Sequence, residues 1–279
     1  MKYASDFRQI ARDALRGNWR VAVLTGFVAP LVGATLWGGG GSSGSSNSSG
    51  GESFSGALSS RLNEETLSLL VTIIIALAIF VVIYAIVLFI ISGAAKFGYA
   101  IFNLNLVDGK EARFSDLFSQ FDRIGSGIIM NLLVGVFTFL WSLLFVIPGI
   151  IKSYSYAMTP FILAEHPELS ENAAITRSRE IMDGNKWRLF CLMLSFIGWS
   201  LLICGPFLVS LILLSVKFAI GVNIALTGTL IFCGISFLLF FVGELFLCPY
   251  QNAALAAFYR DVSRGYDQPN TVLPGEIIE

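Results

Sequence analysis

The chain has 279 residues, of which 55% are hydrophobic and only 13% are charged. A water-soluble domain carries roughly 25% charged residues, and it could not bury this much apolar surface, so the composition indicates a chain whose solvent is lipid. The formal net charge of −1 argues against nucleic acid as a partner, because a nucleic-acid-binding protein needs a basic face to contact phosphates.

Long apolar stretches follow one another along the chain. A helix needs about 20 apolar residues to cross a hydrocarbon core of about 30 Å. Five stretches reach or approach that length, and a sixth, residues 150–165, is shorter and contains Lys152. This sixth segment could cross the membrane, re-enter it or lie at its surface, and we favour a crossing. The predicted spans are residues 19–37, 66–95, 124–147, 150–165, 188–215 and 218–246.

The distribution of basic residues favours the six-span prediction. With six spans, both termini lie on one side of the membrane. Of the 18 Lys and Arg residues, 15 then lie on that side, and only Arg61, Lys152 and Lys217 lie on or near the other. Because Lys and Arg are enriched in cytoplasmic segments, we predict a multi-pass protein of the cell membrane with both termini in the cytoplasm. Without the sixth span, the basic segments would fall on both sides.

Three further segments complete the predicted organisation as one membrane domain. The basic N-terminus and the apolar run from Val21 resemble a secretory signal peptide, but no small-x-small cleavage site is evident, so an uncleaved first span is favoured. Residues 38–56 begin with GGGGSSGSSNSSGG, which predicts a flexible external linker. Residues 261–279 are predicted to form a cytoplasmic tail.

A polar segment that resembles an amphipathic helix precedes each odd-numbered span. In the first segment, apolar residues from Phe7 to Leu15 recur at the spacing of one helix face. In the second, Phe114, Leu117, Phe118 and Phe121 share a face, and the third segment covers residues 170–184. We therefore predict an all-α transmembrane bundle of about six spans in three helical hairpins, each preceded by an amphipathic helix on the cytoplasmic surface.

A short motif ends the first and third of these segments. Gly17-Asn18-Trp19-Arg20 recurs as Gly184-Asn185-Lys186-Trp187-Arg188. Glycine after a helix supplies the left-handed conformation that ends it. The tryptophan that follows, Trp19 or Trp187, is expected to anchor the chain at the level of the lipid headgroups. The recurrence predicts an internal repeat.

These features resemble the integral membrane proteins of the domain-of-unknown-function 975 family, and the likeness extends over nearly the whole chain. The resemblance implies a bacterial cytoplasmic membrane protein and implies no activity. The segments that carry it are Ala14-Leu15-Arg16-Gly17-Asn18-Trp19, Ile147-Pro148-Gly149-Ile150-Ile151, Tyr154-Ser155-Tyr156-Ala157-Met158, Ser178-Arg179-Glu180-Ile181-Met182-Asp183-Gly184, Ser195-Phe196-Ile197-Gly198-Trp199, Pro249-Tyr250 and Ala257-Phe258-Tyr259.

The sequence contains no recognisable catalytic motif, so no enzymatic activity and no cofactor are predicted. The four cysteines form no CxxC pair and the single histidine, His166, lacks a ligand cluster, so no metal site is predicted. Polar residues within spans are the candidate functional residues, because hydrocarbon disfavours them. They are Glu244, near the cytoplasmic end of its span, Asn131, expected to hydrogen-bond across helices, and Lys152, expected to snorkel near the outer turn.

The expected function is that of a non-enzymatic membrane protein that binds partners, as an assembly, regulatory or immunity-type factor. The predicted surface helices offer contact area, and no catalytic chemistry competes with this interpretation. The alternative is a small-molecule or lipid transporter, which would fit the repeats. The expected partners are the lipid bilayer and other membrane proteins.

Overall fold

A computed structural model describes residues 3–36, 64–220 and 226–267. The described residues form helices and no strands, which confirms the all-α prediction. The predicted Gly/Ser linker at residues 38–56 lies outside the described residues, as does the end of the predicted tail. The helices are α1 (Ala4–Leu15), α2 (Trp19–Leu31), α3 (Glu64–Val107), α4 (Ile124–Leu144), α5 (Val146–Tyr156), α6 (Thr159–Glu165), α7 (Glu171–Ile181), α8 (Lys186–Ile220) and α9 (Leu226–Asp267).

Four segments are long and apolar enough to cross a membrane. They belong to α3, to the region that ends with α4, to α8 and to α9, and they correspond to four of the six predicted spans. The first predicted span is a shorter apolar helix, Trp19–Leu31. The predicted span at residues 150–165 is divided between two short helices, α5 and α6. The structure therefore supports four long apolar helices and does not confirm six spans.

Most buried apolar side chains lie in one region, which we call the body. It consists of α1, α6, α7 and the segments 94–107 of α3, 189–196 of α8 and 247–263 of α9. The remaining apolar parts of the long helices, which we call the arms, are mostly exposed. The arms are residues 69–90 of α3, 132–144 of α4, 197–213 of α8 and 228–246 of α9.

Two helices pass from an arm into the body without interruption. Helix α3 has 44 residues and helix α9 has 42, so at 1.5 Å per residue each is about 60 Å long. Helix α9 continues to Asp267, seven residues into the segment predicted as a tail.

Helix α1 has the predicted amphipathic face, but this face does not lie against the membrane surface, as was predicted. Phe7, Ala11 and Leu15 are buried, as the spacing indicated. The face packs against protein, since the ring of Phe7 meets the ring of Phe258 edge-on at a centroid distance of 5.3 Å. An amphipathic pattern alone cannot distinguish a lipid surface from an apolar protein surface, and in this chain helix α9 supplies that surface.

The glycine caps of α1 and α7 have the predicted backbone conformation. Gly17 has a φ of 86° and Gly184 a φ of 72°, in the left-handed region that glycine adopts without a steric cost. The start of α7 is also capped, since the Ser170 hydroxyl accepts a hydrogen bond from the Ala173 amide. The middle segment differs from the prediction, because residues 114–118 and 121–123 form two short 3₁₀ turns and not an amphipathic α-helix.

Helices α8 and α9 lie antiparallel. Arg188 pairs with Asp261 at 2.6 Å, and further along the pair Phe196 contacts Tyr250 with ring centroids 5.2 Å apart. In the arms, the ring of Phe207 stacks on that of Phe240 at 5.5 Å. Residue numbers rise along α8 while they fall along α9, so the two helices follow one another from the body through the arms.

Candidate functional site

The three predicted polar candidates lie in three different places. Asn131 is in the contact between α3 and α4, Glu244 is on α9 facing α8, and Lys152 is at the junction of α5, α7 and α8. No hydrogen bond or ion pair joins any two of them in the described part of the chain. The structure therefore does not assemble them into a single site.

Asn131 makes the cross-helix hydrogen bonds expected of it. Its Nδ2 donates to the Ser92 hydroxyl at 2.9 Å, and its Oδ1 accepts from the Lys96 ammonium at 2.9 Å. Both partners are on α3. Lys96 directly follows the predicted span 66–95, and in the structure it lies inside the contact between α3 and α4.

A close approach of the two backbones accompanies these hydrogen bonds. A Cβ atom added to Gly93 would lie 2.2 Å from the Gly127 carbonyl carbon, and one added to Gly127 would lie 2.5 Å from the Ala94 nitrogen. Only glycine fits at either position without movement of a helix. Small residues at crossings of this kind allow polar groups on two membrane helices to meet.

Glu244 is half-buried on α9, and its charge acts on two thiol groups. These are Cys204 of α8 and Cys248, one helical turn further along α9. No cation pairs with the Glu244 carboxylate among the described residues. A functional role for Glu244 stays a prediction.

Lys152 lies beside an aromatic ring and near two other basic side chains. Its ammonium lies 4.6 Å from the centre of the Trp141 ring, within range of a cation–π interaction. It also shares a pocket of about 310 Å³ with Arg179 and Lys186. The charge argument assigned those two residues to the cytoplasmic side and Lys152 to the outer turn, whereas the structure brings all three together.

The two predicted anchors occupy equivalent places at the starts of α2 and α8. Trp19 is half-buried, with its ring 6.0 Å from that of Phe246. Trp187 is 71% exposed and stacks on Phe190 at 5.1 Å. Each follows a glycine cap, so the repeated motif produces the same local chain path twice. Their role at lipid headgroups stays a prediction.

An ion-pair network in the body was not predicted. The Arg260 guanidinium donates to both carboxylate oxygens of Asp108, at 2.9 and 2.6 Å, and also to Glu165. The Tyr259 hydroxyl donates to Glu165 at 2.7 Å. These contacts connect α9 to the ends of α3 and α6. The partners lie 94 or more residues apart, so no local pattern could have indicated them.

A second ion pair connects the start of α8 to α9. The Arg188 guanidinium donates to Asp261 at 2.6 Å and to Asn185 at 2.8 Å. It also lies over the rings of Phe7 and Phe258, at 5.8 and 5.7 Å. The arginine of the second Gly-Asn-Trp-Arg-like motif therefore supports the body and does not simply face solvent.

Two pockets of the described structure border the body. Besides the pocket around Lys152, an open cavity of about 760 Å³ is lined by acidic and basic side chains that include Asp108, Glu165, His166 and Arg264. Within the described residues, no group of three or more His, Cys, Asp or Glu side chains could hold a metal ion.

Comparison with known proteins gives one family match. A model of a family described as "Protein of unknown function (DUF975)" matches residues 143–265, from the end of α4 to the last turns of α9. The predicted likeness of the first half of the chain lies outside this match. No curated protein and no solved structure matches the chain. Over residues 143–265, which include α8 and most of α9, the chain is therefore similar to this family of unknown function.

Proposed function

We propose that this chain is a non-enzymatic protein of the cytoplasmic membrane that binds other membrane proteins through its arms, as an assembly or regulatory factor. One observation carries the proposal: the α3 arm exposes large apolar side chains on all sides. Its most apolar 18-residue window contains no buried residue. Phe80, for example, is 65% exposed. Lipid can cover such a surface, and so can the helices of a partner.

The body supports the same proposal, because it holds the arm at a fixed place. Helix α3 enters the body at Ala94 and Ala95, which are buried, and ends at Val107, directly before Asp108, which Arg260 holds. The arm is therefore a rigid extension of a packed unit. A membrane helix that is firmly held at one end, and whose most apolar window contains no buried residue in the described structure, is suited to contact a second protein.

The proposal includes a topology with both termini in the cytoplasm. Arg123, at the start of α4, donates to the carbonyl oxygens of Leu163 and Pro167, at the end of α6. The start of α4 and the end of α6 therefore lie side by side. These helices begin and end on the same side of the membrane, however far into it they extend. The third of the proposed hairpins is α8 and α9, and α2 with α3 is the first. Lys152 then joins the 15 basic residues already assigned to the cytoplasm.

Cysteine labelling tests this topology. After replacement of the four native cysteines, a membrane-impermeant maleimide added outside intact cells should label Ser215→Cys, near the far end of α8. It should label Lys152→Cys only after permeabilisation. Labelling of Lys152→Cys in intact cells would contradict the arrangement.

Photo-cross-linking in native membranes tests the partner-binding function. A photoreactive phenylalanine analogue replaces Phe80 in the α3 arm or Tyr3 at the start of α1, which is 76% exposed. We expect one discrete protein adduct from position 80 and none from position 3. A variant in which residues 69–79 are all leucine keeps length and hydropathy, and it should lose the adduct if the partner recognises side-chain shape. Adducts with lipid alone would contradict the proposal.

Transport is the second candidate, and one observation favours it. Glu244 lies half-buried between α8 and α9 without a cation partner in the described structure, as a substrate-binding carboxylate could. In proteoliposomes with fluorescent phosphatidylcholine, a lipid transporter would move the probe between leaflets, and Glu244→Gln would stop this movement. Equal rates with and without the protein would exclude lipid transport.

A further inference from the structure

Three basic side chains from three helices converge on one pocket at the edge of the body. Lys152 comes from α5, Arg179 from α7 and Lys186 from the start of α8, and they line a cavity of about 310 Å³. The helices are held together there, because the Ser178 hydroxyl of α7 donates to the Ser155 carbonyl oxygen of α5 at 2.8 Å. The convergence therefore arises from packing and does not depend on the flexible side chains alone.

The pocket contains an excess of positive charge. Lys152 is close enough to Arg179 and Lys186 for their charges to repel its own. Two acidic residues also line the pocket, but each has another contact. Asp183 lies 3.6 Å from Lys186 at an exposed position, and Glu180 accepts a hydrogen bond from the Tyr266 hydroxyl at 2.7 Å. Three cations face two carboxylates, so one positive charge is left for a ligand.

The surface beside the pocket is apolar and aromatic. Ile150 and Ile151, which precede Lys152, are about half exposed, and Trp187 follows Lys186. The Trp141 ring lies under the Lys152 ammonium. A soluble anion would need only the basic groups, whereas a molecule with a charged head and an apolar tail would contact both surfaces. Tryptophan and basic side chains are also the residues enriched where proteins meet lipid headgroups.

We propose that this pocket binds the phosphate of an anionic phospholipid headgroup, while the acyl chains lie along the exposed apolar side of α5. The Arg179 guanidinium can contact two phosphate oxygens at once, and the two ammonium groups supply mobile point charges. This site is independent of the proposed partner-binding arm, so failure of one proposal leaves the other intact.

Binding of short-chain lipids to the detergent-solubilised full-length chain tests the site. The probes are dihexanoyl-phosphatidylglycerol, dihexanoyl-phosphatidylcholine and inorganic phosphate, each titrated by calorimetry. The wild type should bind phosphatidylglycerol more tightly than either of the others. Two basic residues near a lipid surface together account for a factor of about 30 in affinity, so Lys152→Gln/Arg179→Gln should weaken phosphatidylglycerol binding about 30-fold.

A matched control removes the same charge elsewhere. Arg16→Gln/Lys110→Gln changes two exposed residues on other parts of the body, and it should alter the affinity by less than about 3-fold if long-range charge contributes little. All substituted side chains are at the surface, so the apparent Tm without lipid should remain that of the wild type.

Each other outcome would overturn the proposal. Unchanged phosphatidylglycerol binding in Lys152→Gln/Arg179→Gln would show that the pocket is not the site. Equal binding of phosphatidylcholine would show no selection for an anionic lipid. Binding of inorganic phosphate with the same affinity as phosphatidylglycerol would assign the pocket to a free anion.

Discussion

The body and the arms are parts of the same helices, yet they differ in how they use apolar residues. In the body, α9 places a run of small residues against its neighbours, and Ala253, Ala254 and Ala256 are fully buried. In the arms, the side chains are large, and Ile79 and Phe80 are more than half exposed. Apolar composition is common to both regions, so it predicts residence in the membrane and does not predict packing. Side-chain size and polar partners distinguish the two regions.

Polar contacts show the same difference. The body is joined by the Arg260 and Arg188 ion pairs, which link segments far apart in sequence. The arms contain mainly local bonds, in which a hydroxyl donates to a carbonyl oxygen of its own helix, as Ser210 does to Phe207. The arms can therefore change neighbours more easily than the body, which is the property a partner-binding surface needs.

The largest expected effect comes from replacing one phenylalanine in each region by alanine. Phe7→Ala removes a buried ring of the body, and truncation of a buried phenylalanine costs about 3–5 kcal/mol. Phe80→Ala removes an exposed ring of an arm and should cost less than about 1 kcal/mol. The free energies of unfolding, measured in detergent, should differ accordingly. Equal losses would mean that the arms pack as tightly as the body.

A smaller effect is expected at the crossing that separates the α3 arm from the body. Gly127→Ala places a Cβ 2.5 Å from the backbone of α3, and overpacking of this kind costs about 1–3 kcal/mol. Gly135→Ala on the same helix has open space around it and should be neutral or slightly stabilising, because alanine favours the helix. Apparent Tm values of the two variants test this. A stable Gly127→Ala variant would show that the two helices can separate without loss.

A third effect, no larger than the one at the crossing, concerns the ion pairs of the body. Arg260→Gln leaves Asp108 and Glu165 without their main partner, and it should cost about 2 kcal/mol, less than for a fully buried pair because the three side chains are 16–27% exposed. Arg264→Gln, on the exposed side of α9, should change stability by less than about 0.5 kcal/mol. Denaturant titrations compare the two. Equal stability of the two variants would show that the ion-pair network stabilises the body no more than an exposed charge does.

Much of the local structure could be predicted from the sequence. The spacing of Phe7, Ala11 and Leu15 indicated the buried face of α1, and Gly17 and Gly184 indicated where α1 and α7 end. These features depend on residues within one or two helical turns. The middle segment, residues 114–121, was predicted as a helix from the same kind of pattern, but the structure has two 3₁₀ turns there, and Leu117 packs on α3 at Gly98.

The candidate site was less predictable. Asn131 was selected for its position in an apolar span, and the structure gives it the cross-helix partners expected. Lys152 was selected for the same reason, but its neighbours Arg179 and Lys186 could not be identified, because they lie 27 and 34 positions further along the chain, on α7 and α8. Charge counting placed Lys152 on the outer side, since counting assumes that each apolar segment crosses the membrane fully.

The sequence by itself determined that the chain is helical, that its solvent is lipid and where several helices begin and end, because hydropathy and helix caps act over short distances. Only the tertiary structure decided which face of each helix is covered, which charged side chains pair and which basic side chains line one pocket. Those contacts join residues that are distant along the chain, and many of them lie where glycine or alanine lets two helices approach or where an arginine reaches a second helix.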